Sequence, residues 1–331
     1  MVRDNAQDNY QDSKPPKDQK DAPKVELVDK STDLSVAMTP SQKKLIEAGH
    51  AIWMDDPDEL GFATDVLTQA ALPIREPTTR VYTRKNGKFR MDIMPVPLEN
   101  IDGDLEFAFP YGVYPRRALI WVITECLRTN SRRVELGSSV NEFMTKKLGI
   151  KGGGGQRVQA IRKQLLALFG AQIRISTSDT KNGKVHDKVS TLVISNHHEL
   201  WTELVPDAPK TKTTSFVELS EDFYSRLQNN RGVPLDMRAV EALGNDALAL
   251  DIYAWVVWRV HAARGREFTI RWDTLKLQFG SDIKEVRNFK TKFMRALERK
   301  VGLVYRGLEF ESSSSTLTIK PSPLAIQPKR K

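Results

Sequence analysis

The sequence predicts an α+β protein, mainly helical, in which one arrangement of helices and strands is used twice. Apolar residues recur at helical spacing in two sets of three segments, and a pair of short strands follows each set. Corresponding residues of the two sets stand a nearly constant distance apart. Gly149 falls on Gly280 at 131, and Ile161 on Phe293, Leu165 on Leu297 and Gly170 on Gly302 at 132. Arg132-Arg133-Val134-Glu135 falls on Arg266-Glu267-Phe268-Thr269 at 134. An offset this steady points to internal duplication. The 331 residues are 40% hydrophobic and 28% charged, enough for about two domains. That composition excludes collagenous, coiled-coil and disulfide-scaffold classes. Cys126 is the only cysteine, so neither an intrachain disulfide nor a cysteine-based zinc site is possible.

The first 24 residues carry five basic and five acidic side chains, few apolar ones, and Pro15, Pro16 and Pro23. Such a stretch is expected to be a disordered tail, residues 1–40 in all. Thr39-Pro40-Ser41 is a helix-start signal ahead of Leu45, Ile46 and Ala48. A small accessory region, 41–110, then holds a short helix over Asp65–Leu72 before Pro73. It also holds a hairpin over Val81–Ile93 around Asn86-Gly87. Pro95, Pro97 and Pro110 mark a loop-rich connection.

Tyr114-Pro115 opens a helix with an apolar stripe of Leu119, Ile120, Val122, Ile123 and Leu127. A strand over Arg132–Leu136 follows. Ser138 or Ser139 caps a second helix carrying Val140, Phe143, Met144 and Leu148. Past Gly152–Gly155 a third helix runs from about Gln156 to Phe169, closed by Gly170. Strands Ala171–Ser176 and Val189–Ser195 flank Asn182-Gly183. The order is that of a winged helix-turn-helix, the hairpin being the wing. The second copy has helices over Asp246–Ala263, Trp272–Phe279 and about Ile283–Lys300, with a strand at Glu267–Ile270. Gly302 is expected to end the last helix, and a hairpin of Leu303–Arg306 and Thr316–Lys320 to turn through Ser312–Ser315. Two tandem winged-helix domains result, 111–205 and 206–325, followed by a basic tail, 326–331.

The chain carries 51 Lys plus Arg against 42 Asp plus Glu, a net charge of +9. Lys151, Arg157, Arg162, Lys163, Arg174, Lys181, Lys184 and Lys188 face only Asp179 and Asp187 in their window. The window Lys284–Arg306 likewise holds eight basic residues against Glu285 and Glu298. Each window is six positive in excess, together twelve, which exceeds the whole chain's nine. Charge is therefore focused where a helix-turn-helix touches DNA. Projection at 100° per residue turns Val158, Ile161 and Leu165 inward on the first third helix. Gln156, Gln159, Ala160 and Lys163 face outward, with Arg157 at the rim. On the second, Val286, Phe289, Phe293 and Ala296 face inward, while Lys284, Arg287, Asn288, Thr291 and Arg295 face outward. Arg, Lys, Asn and Gln match base edges in the major groove, and Arg287 with Asn288 is the pair expected to read them. The plainer alternative is a solvated basic helix face. Lys181, Lys184, His186 and Lys188 at the first wing suit phosphates or the minor groove; the second wing, with Glu309 and Glu311, is not basic.

Other signals lead elsewhere and are rejected. Gly149–Gln156 lacks the Lys and Ser or Thr that a Walker loop needs after its second glycine, so no nucleotide or other cofactor is expected. Its glycines would let backbone N–H groups approach a DNA phosphate, or serve as a flexible turn. His197-His198 point to opposite faces of a strand, which speaks against a metal-dependent nickase using Tyr224. Asp55-Asp56 read as a solvated loop, and Trp53-Met54 with the Tyr82–Phe89 hairpin as a local core, the alternative being an interface. No enzymatic activity and no metal site are expected. The N-terminus is polar from Arg3 onward, and the longest near-apolar run, Ala247–Trp258, is far below the ~20 residues of a membrane span. A cytoplasmic protein without membrane contact is expected.

The first helix of the first copy reads Tyr114-Pro115-Arg116-Arg117-Ala118-Leu119-Ile120-Trp121-Val122-Ile123-Thr124-Glu125-Cys126-Leu127-Arg128-Thr129. With Leu136-Gly137-Ser138-Ser139-Val140-Asn141-Glu142-Phe143-Met144 and Leu148-Gly149, it resembles the RepA-type plasmid replication initiators of bacteria. The resemblance is strongest over 107–310 and extends to Gly61, taking in Ala70-Ala71-Leu72-Pro73 and Arg75-Glu76-Pro77. Residues before Thr39 lie outside it. Members carry aromatic or basic residues where this chain has Gly154-Gly155-Gln156-Arg157, so base preference at that helix is not carried over. The resemblance implies binding to repeated double-stranded sites at a plasmid origin and opening of adjacent AT-rich DNA. It also implies recruitment of the host replication initiator and replicative helicase machinery, with self-association on the repeats. The alternative is a tandem winged-helix transcription repressor, including an autorepressor acting on its own promoter.

Overall fold

In the computed structural model the described residues are 38–99, 103–151, 154–181, 184–201, 214–230, 232–280 and 283–326. The expected tail before Pro40 therefore lies almost wholly outside them, as does the tail after Ile326. The chain divides into two units, Met1–Met38 and Thr39–Lys331, and every helix and strand of the described residues belongs to the second.

Helix α1 (Pro40–Met54) begins where the sequence predicts. Thr39 caps it in a reciprocal box with Gln42, and proline occupies its first turn. Strand β1 (Leu60–Ala63) and helix α2 (Asp65–Gln69, capped by Thr64) follow. The hairpin β2 (Tyr82–Asn86) and β3 (Phe89–Met94) turns through Gly87, whose positive φ of 59° suits glycine. A second hairpin, β4 (Val96–Glu99) and β5 (Leu105–Ala108), occupies the expected loop-rich connection.

Helix α3 (Val113–Thr129) leads to β6 (Arg133–Gly137) and the short α4 (Val140–Glu142), prolonged by a π-helical turn, Phe143–Lys147. Then come α5 (Gly155–Phe169) and strands β7 (Gln172–Lys181) and β8 (Lys184–Val193), each strand reaching five residues further at its inner end than the sequence predicts. Strands β9 (Ser195–Glu199) and β10 (Ser215–Leu219), helix α6 (Glu221–Asn230), strand β11 (Val233–Asp236) and helix α7 (Met237–Leu243) complete the middle of the chain. Helix α8 (Ala247–Ala263), capped by Asp246, precedes β12 (Phe268–Arg271) and α9 (Trp272–Phe279). Helix α10 (Val286–Ala296) begins three residues later than expected. It passes through a π-helical turn, Leu297–Val301, into α11 (Gly302–Val304). Gly302 does not end the helix: its φ is −60°, and Val301 and Val304 are drawn into the core on either side. The hairpin strand expected at Leu303–Arg306 accordingly lies further on, as β13 (Phe310–Ser312), paired with β14 (Thr316–Ile319).

The second hairpin forms a three-stranded sheet in the order β12-β14-β13. The first arrangement departs from this. Its hairpin joins the earlier one in the order β2-β3-β7-β8, and β6 pairs with β10, which lies between it and β9. The two copies share an order of helices and differ in how their strands pair. Strand β1 crosses the chain to pair with β11, Leu60 opposite Asp236.

Two buried apolar clusters result. One gathers α3, α5, β3 and β7 around Ile123, Phe143, Leu165 and Phe169. The other gathers α1, α7, α8, α9 and α10, and at its centre Phe293 meets Trp255, Trp272 and Phe279 edge-on at 5.2–6.1 Å. Such ring pairs add about 0.5–1.5 kcal/mol each beyond area burial. Residues 41–110 are shared between the clusters: Leu45 and Ile52 sit in the second, Tyr82 and Met91 in the first. The hairpin thus forms core as expected, but Trp53 and Met54 stay 50% and 68% exposed.

Candidate nucleic-acid interface

Helix α10 is sharply two-faced. Phe289, Phe293 and Ala296 are buried, whereas Lys284 just before the helix and Arg287, Asn288, Thr291, Lys292 and Arg295 on it are exposed. Val286, expected inward, is 37% exposed because the helix only begins there. The basic residues of this window divide by partner. Lys290 donates to the Ser313 carbonyl at 2.5 Å, Lys300 to Asp246 at 2.7 Å, and Arg306 to the Trp53 carbonyl at 2.9 Å. The side chains of Lys284, Arg287, Lys292, Arg295 and Arg299 have no hydrogen-bond or ion-pair partner among the described residues. The sequence reading singles out neither Lys292 nor Arg299; the window count contains them, but helix projection puts both on the flank of the buried face rather than opposite it.

Helix α5 is different. Gln156, Gln159 and Ala160 are exposed as expected, and Lys151 before it as well. Its basic side chains are engaged: Arg157 Nε donates to the Tyr114 hydroxyl at 3.2 Å, Arg162 Nε to the Trp201 carbonyl at 2.6 Å, and Lys163 pairs with Glu106 at 2.9 Å. Val158 is only half-buried. The helix starts on Gly154 and Gly155 without a side-chain cap and without an acidic residue in its first turn. A Cβ at either glycine would meet nothing within 4 Å among the described residues, so no neighbouring side chain crowds this end of the helix. Lys188 on β8 is exposed. The wing tip Asn182-Gly183, and the side chains of Lys181 and Lys184, lie outside the described residues. The structure thus gathers Lys284, Arg287, Asn288, Thr291 and Arg295 on one surface, and leaves Arg157 and Lys163 tied to neighbours.

The short helix α4 is held by its own cap. Glu142 accepts from the Ser138 hydroxyl at 2.6 Å and backbone N–H at 2.9 Å and from Lys146 at 3.1 Å, which together hold its carboxyl down at about 2. A carboxylate depressed in the folded state stabilises it above the unfolded value and ceases to do so as pH falls through the folded one. Thermal melts of Glu142→Gln should therefore lie below those of the parent at pH 6 and meet them as pH falls from about 4.5 to 2. Parallel curves across that range would show that the carboxylate carries no such role.

The residues of the discarded alternatives are placed as follows. Tyr224 on α6 has its hydroxyl 3.2 Å from the Asn130 side-chain oxygen. His197 lies 3.7 Å from Glu199, and His198 is half-buried, its imidazole pKa lowered by burial and by His197. Cys126 is buried, which pushes its thiol up to about 11. Among the described residues no group of His, Cys, Asp and Glu is placed to hold a metal ion, and no helix is long and apolar enough to cross a membrane.

Residues 109–274 match the family described as plasmid encoded RepA protein, half of the chain. The chain belongs to this family of RepA-type plasmid replication initiators. No curated protein matches it. Among solved structures, a crystal structure of domains 2 and 3 of RctB superimposes with a TM-score of 0.50 at 13% identity, covering 77% of this chain and 98% of that one. A second crystal structure of RctB domains 2–3 gives 0.48 at 13% identity, covering 78% and 96%. The first likeness is one of fold.

Proposed function

We propose that this chain is a non-enzymatic initiator that binds repeated double-stranded sites at a plasmid origin through two winged-helix units. The observation that carries the reading is the outer face of α10, where Lys284, Arg287, Asn288 and Arg295 are exposed and their side chains are without partners among the described residues. An arginine and an asparagine side by side offer donors for guanine and adenine edges, while the flanking cations suit phosphates. A wing beside the third helix is supported by the turn of the β13–β14 hairpin, where the Ser313 carbonyl accepts from Lys290 on α10 and from the Trp272 indole on α9. In the first unit Gln156 and Gln159 face the bases, the open N-terminus of α5 and Lys151 face a phosphate, and the long β7–β8 hairpin with Lys188 tracks the backbone. The two third helices enter successive major grooves about 34 Å apart.

Opening the duplex costs a few kcal/mol per unstacked step, so several copies on adjacent repeats concentrate the binding energy at a neighbouring AT-rich stretch. Family membership supports the remaining parts of the reading: self-association on repeats, contact with the host replication initiator and helicase machinery, and a cytoplasmic site of action.

The test is a footprint of the purified protein on its plasmid DNA, with a single-strand-specific probe alongside. Protected repeats with reactive thymines in an adjacent AT-rich stretch are expected. Protection over a promoter with no opened bases would indicate a repressor instead, and no protection would overturn the DNA-binding reading. If about eight phosphates are engaged, log affinity should fall against log salt with a slope near −7. A titration that is flat in salt would contradict the charge assignment.

A further inference from the structure

In each arrangement the turn before the third helix opens on a left-handed glycine, Gly149 with φ +58° and Gly280 with φ +62°. Each of these turns receives an arginine on a carbonyl oxygen. Arg84 on β2 donates from Nη2 to the Gly280 carbonyl at 2.7 Å and from Nε to the Tyr82 hydroxyl at 2.6 Å, and its guanidinium lies over the Tyr82 ring. Tyr82 in turn donates to the Ala71 carbonyl at 3.1 Å, and Ala71 N–H donates to the Gln278 carbonyl at 3.3 Å. The buried Gln278 side chain donates to the Thr68 carbonyl at 3.0 Å. The loop of bonds is closed: Gln278, Ala71, Tyr82, Arg84 and Gly280 fasten the end of α9 to β2. A Cβ on Gly280 would fall 1.5 Å from Arg84 Nε.

In the first arrangement Arg117 on α3 donates from Nη2 to the Leu148 carbonyl. The same guanidinium is boxed in by the C-terminal end of α7, where a Cβ on Gly244 would come within 2.6 Å of Arg117 Nη1. So β2, which belongs to the sheet of the first hairpin, holds the turn before α10. Helix α7, which belongs to the second core, closes over the arginine that holds the turn before α5. The braces cross.

We infer that Arg84 is a positioning residue that fixes α10 relative to the first arrangement, and so to α5, so that the chain reads a duplex carrying two subsites at one spacing only. This rests on the proposed DNA binding. Arg84 need not touch DNA. A helix anchored only through its own core could swing about its preceding turn; a carbonyl in that turn pinned to the opposite arrangement removes this freedom. Rigid coupling of two binding elements makes the second contact effectively intramolecular, and that gain is lost when the spacing is wrong.

The experiment uses the full chain and a duplex carrying the repeat protected in the footprint, together with versions carrying inserts between its halves of up to about 5 bp. The parent should lose about tenfold or more in affinity on insertion. Arg84→Met, which keeps the length of the side chain and removes its donors, should bind the intact repeat several-fold more weakly and be nearly indifferent to the insert. Its melting temperature should fall, because the Gly280 carbonyl loses its donor, but well below that melt its affinity for an isolated half should match the parent's. Arg84→Lys, retaining a charged donor, should recover part of the spacing preference. Arg84→Met with the parent's full insertion penalty would overturn this inference while leaving the DNA-binding reading intact. A parent that binds the repeat without spacing preference would also overturn it. A parent that fails to bind the repeat would overturn the DNA-binding reading, and this one with it.

Discussion

Asp251→Ala should destabilise the fold by about 3–5 kcal/mol, read as a lower urea midpoint at unchanged m. Asp251 on α8 accepts from Arg116 Nε and Nη2 on α3 at 2.7 Å each, and the two side chains are 12% and 4% exposed. The pair therefore joins the first helices of the two arrangements in a nearly dry setting. Burial pushes the Asp251 carboxyl up, and the Arg116 guanidinium acts against that rise. Removing the carboxylate leaves a guanidinium that cannot lose its charge. The adjoining cavity, about 40 Å³ and lined chiefly by apolar side chains such as Leu67, Leu119 and Ile123, offers it no replacement. Buried ion pairs can often be exchanged for apolar residues at no loss, but this one should not be. Arg116 also donates to the carbonyls of Leu72 at 2.7 Å, Pro73 at 3.0 Å and Gly112 at 2.6 Å. Arg116→Met combined with Asp251→Leu removes this donor from all three; the Pro73 carbonyl keeps the Gly112 N–H at 3.0 Å, but the buried Leu72 carbonyl is left without a donor, at a cost of about 1–3 kcal/mol. The double variant should therefore remain less stable than the parent. A double variant as stable as the parent would show that the pair serves no structural purpose.

Local signals in the sequence locate elements well, and pairing poorly. Thr39-Pro40, Asn86-Gly87, Ser139 and Asp246 mark starts and turns through chemistry confined to a few residues, and each does so in the structure. Gly302 misleads because a glycine after a periodic stretch is a stop signal, yet here Val301, Val304 and Tyr305 bury themselves and carry the helix past it. The pairing of β1 with β11 and of β3 with β7 joins segments far apart in the chain. Apolar alternation says that a strand exists and which face is buried, not which strand lies beside it. That is why the expected wing of the first arrangement emerges inside a four-stranded sheet. Arg84, Arg116 and Arg117 are invisible as braces for the same reason: each bonds to backbone carbonyls or to a carboxylate distant in sequence. The outer face of α10 is legible because helical projection and charge both act along one element. On α5 the same projection faces Lys163 outward but cannot foresee Glu106 beside it.

Arg287→Met with Asn288→Ala should reduce discrimination between the cognate repeat and a scrambled duplex by about 1–3 kcal/mol for each base no longer read, about 2–6 for the pair. The fold should be unaffected. Both side chains are exposed and bond to nothing among the described residues, methionine and alanine are good helix formers, and the Arg287 carbonyl still accepts from Thr291. Binding to scrambled DNA should weaken only slightly, with a change in salt slope of about one at most, because a single cation has been removed. Lys292→Met is the counterpart. Its side chain shares the exposed side of α10 but carries a point charge suited to phosphate, so it should weaken all duplexes alike and leave discrimination intact. Competition titrations of the three proteins against cognate and scrambled duplexes at fixed salt separate these outcomes. Equal losses on both duplexes for the Arg287 and Asn288 variant would assign that pair to the backbone and move base reading to Gln156 and Gln159 on α5, the other exposed amides in the proposed interface.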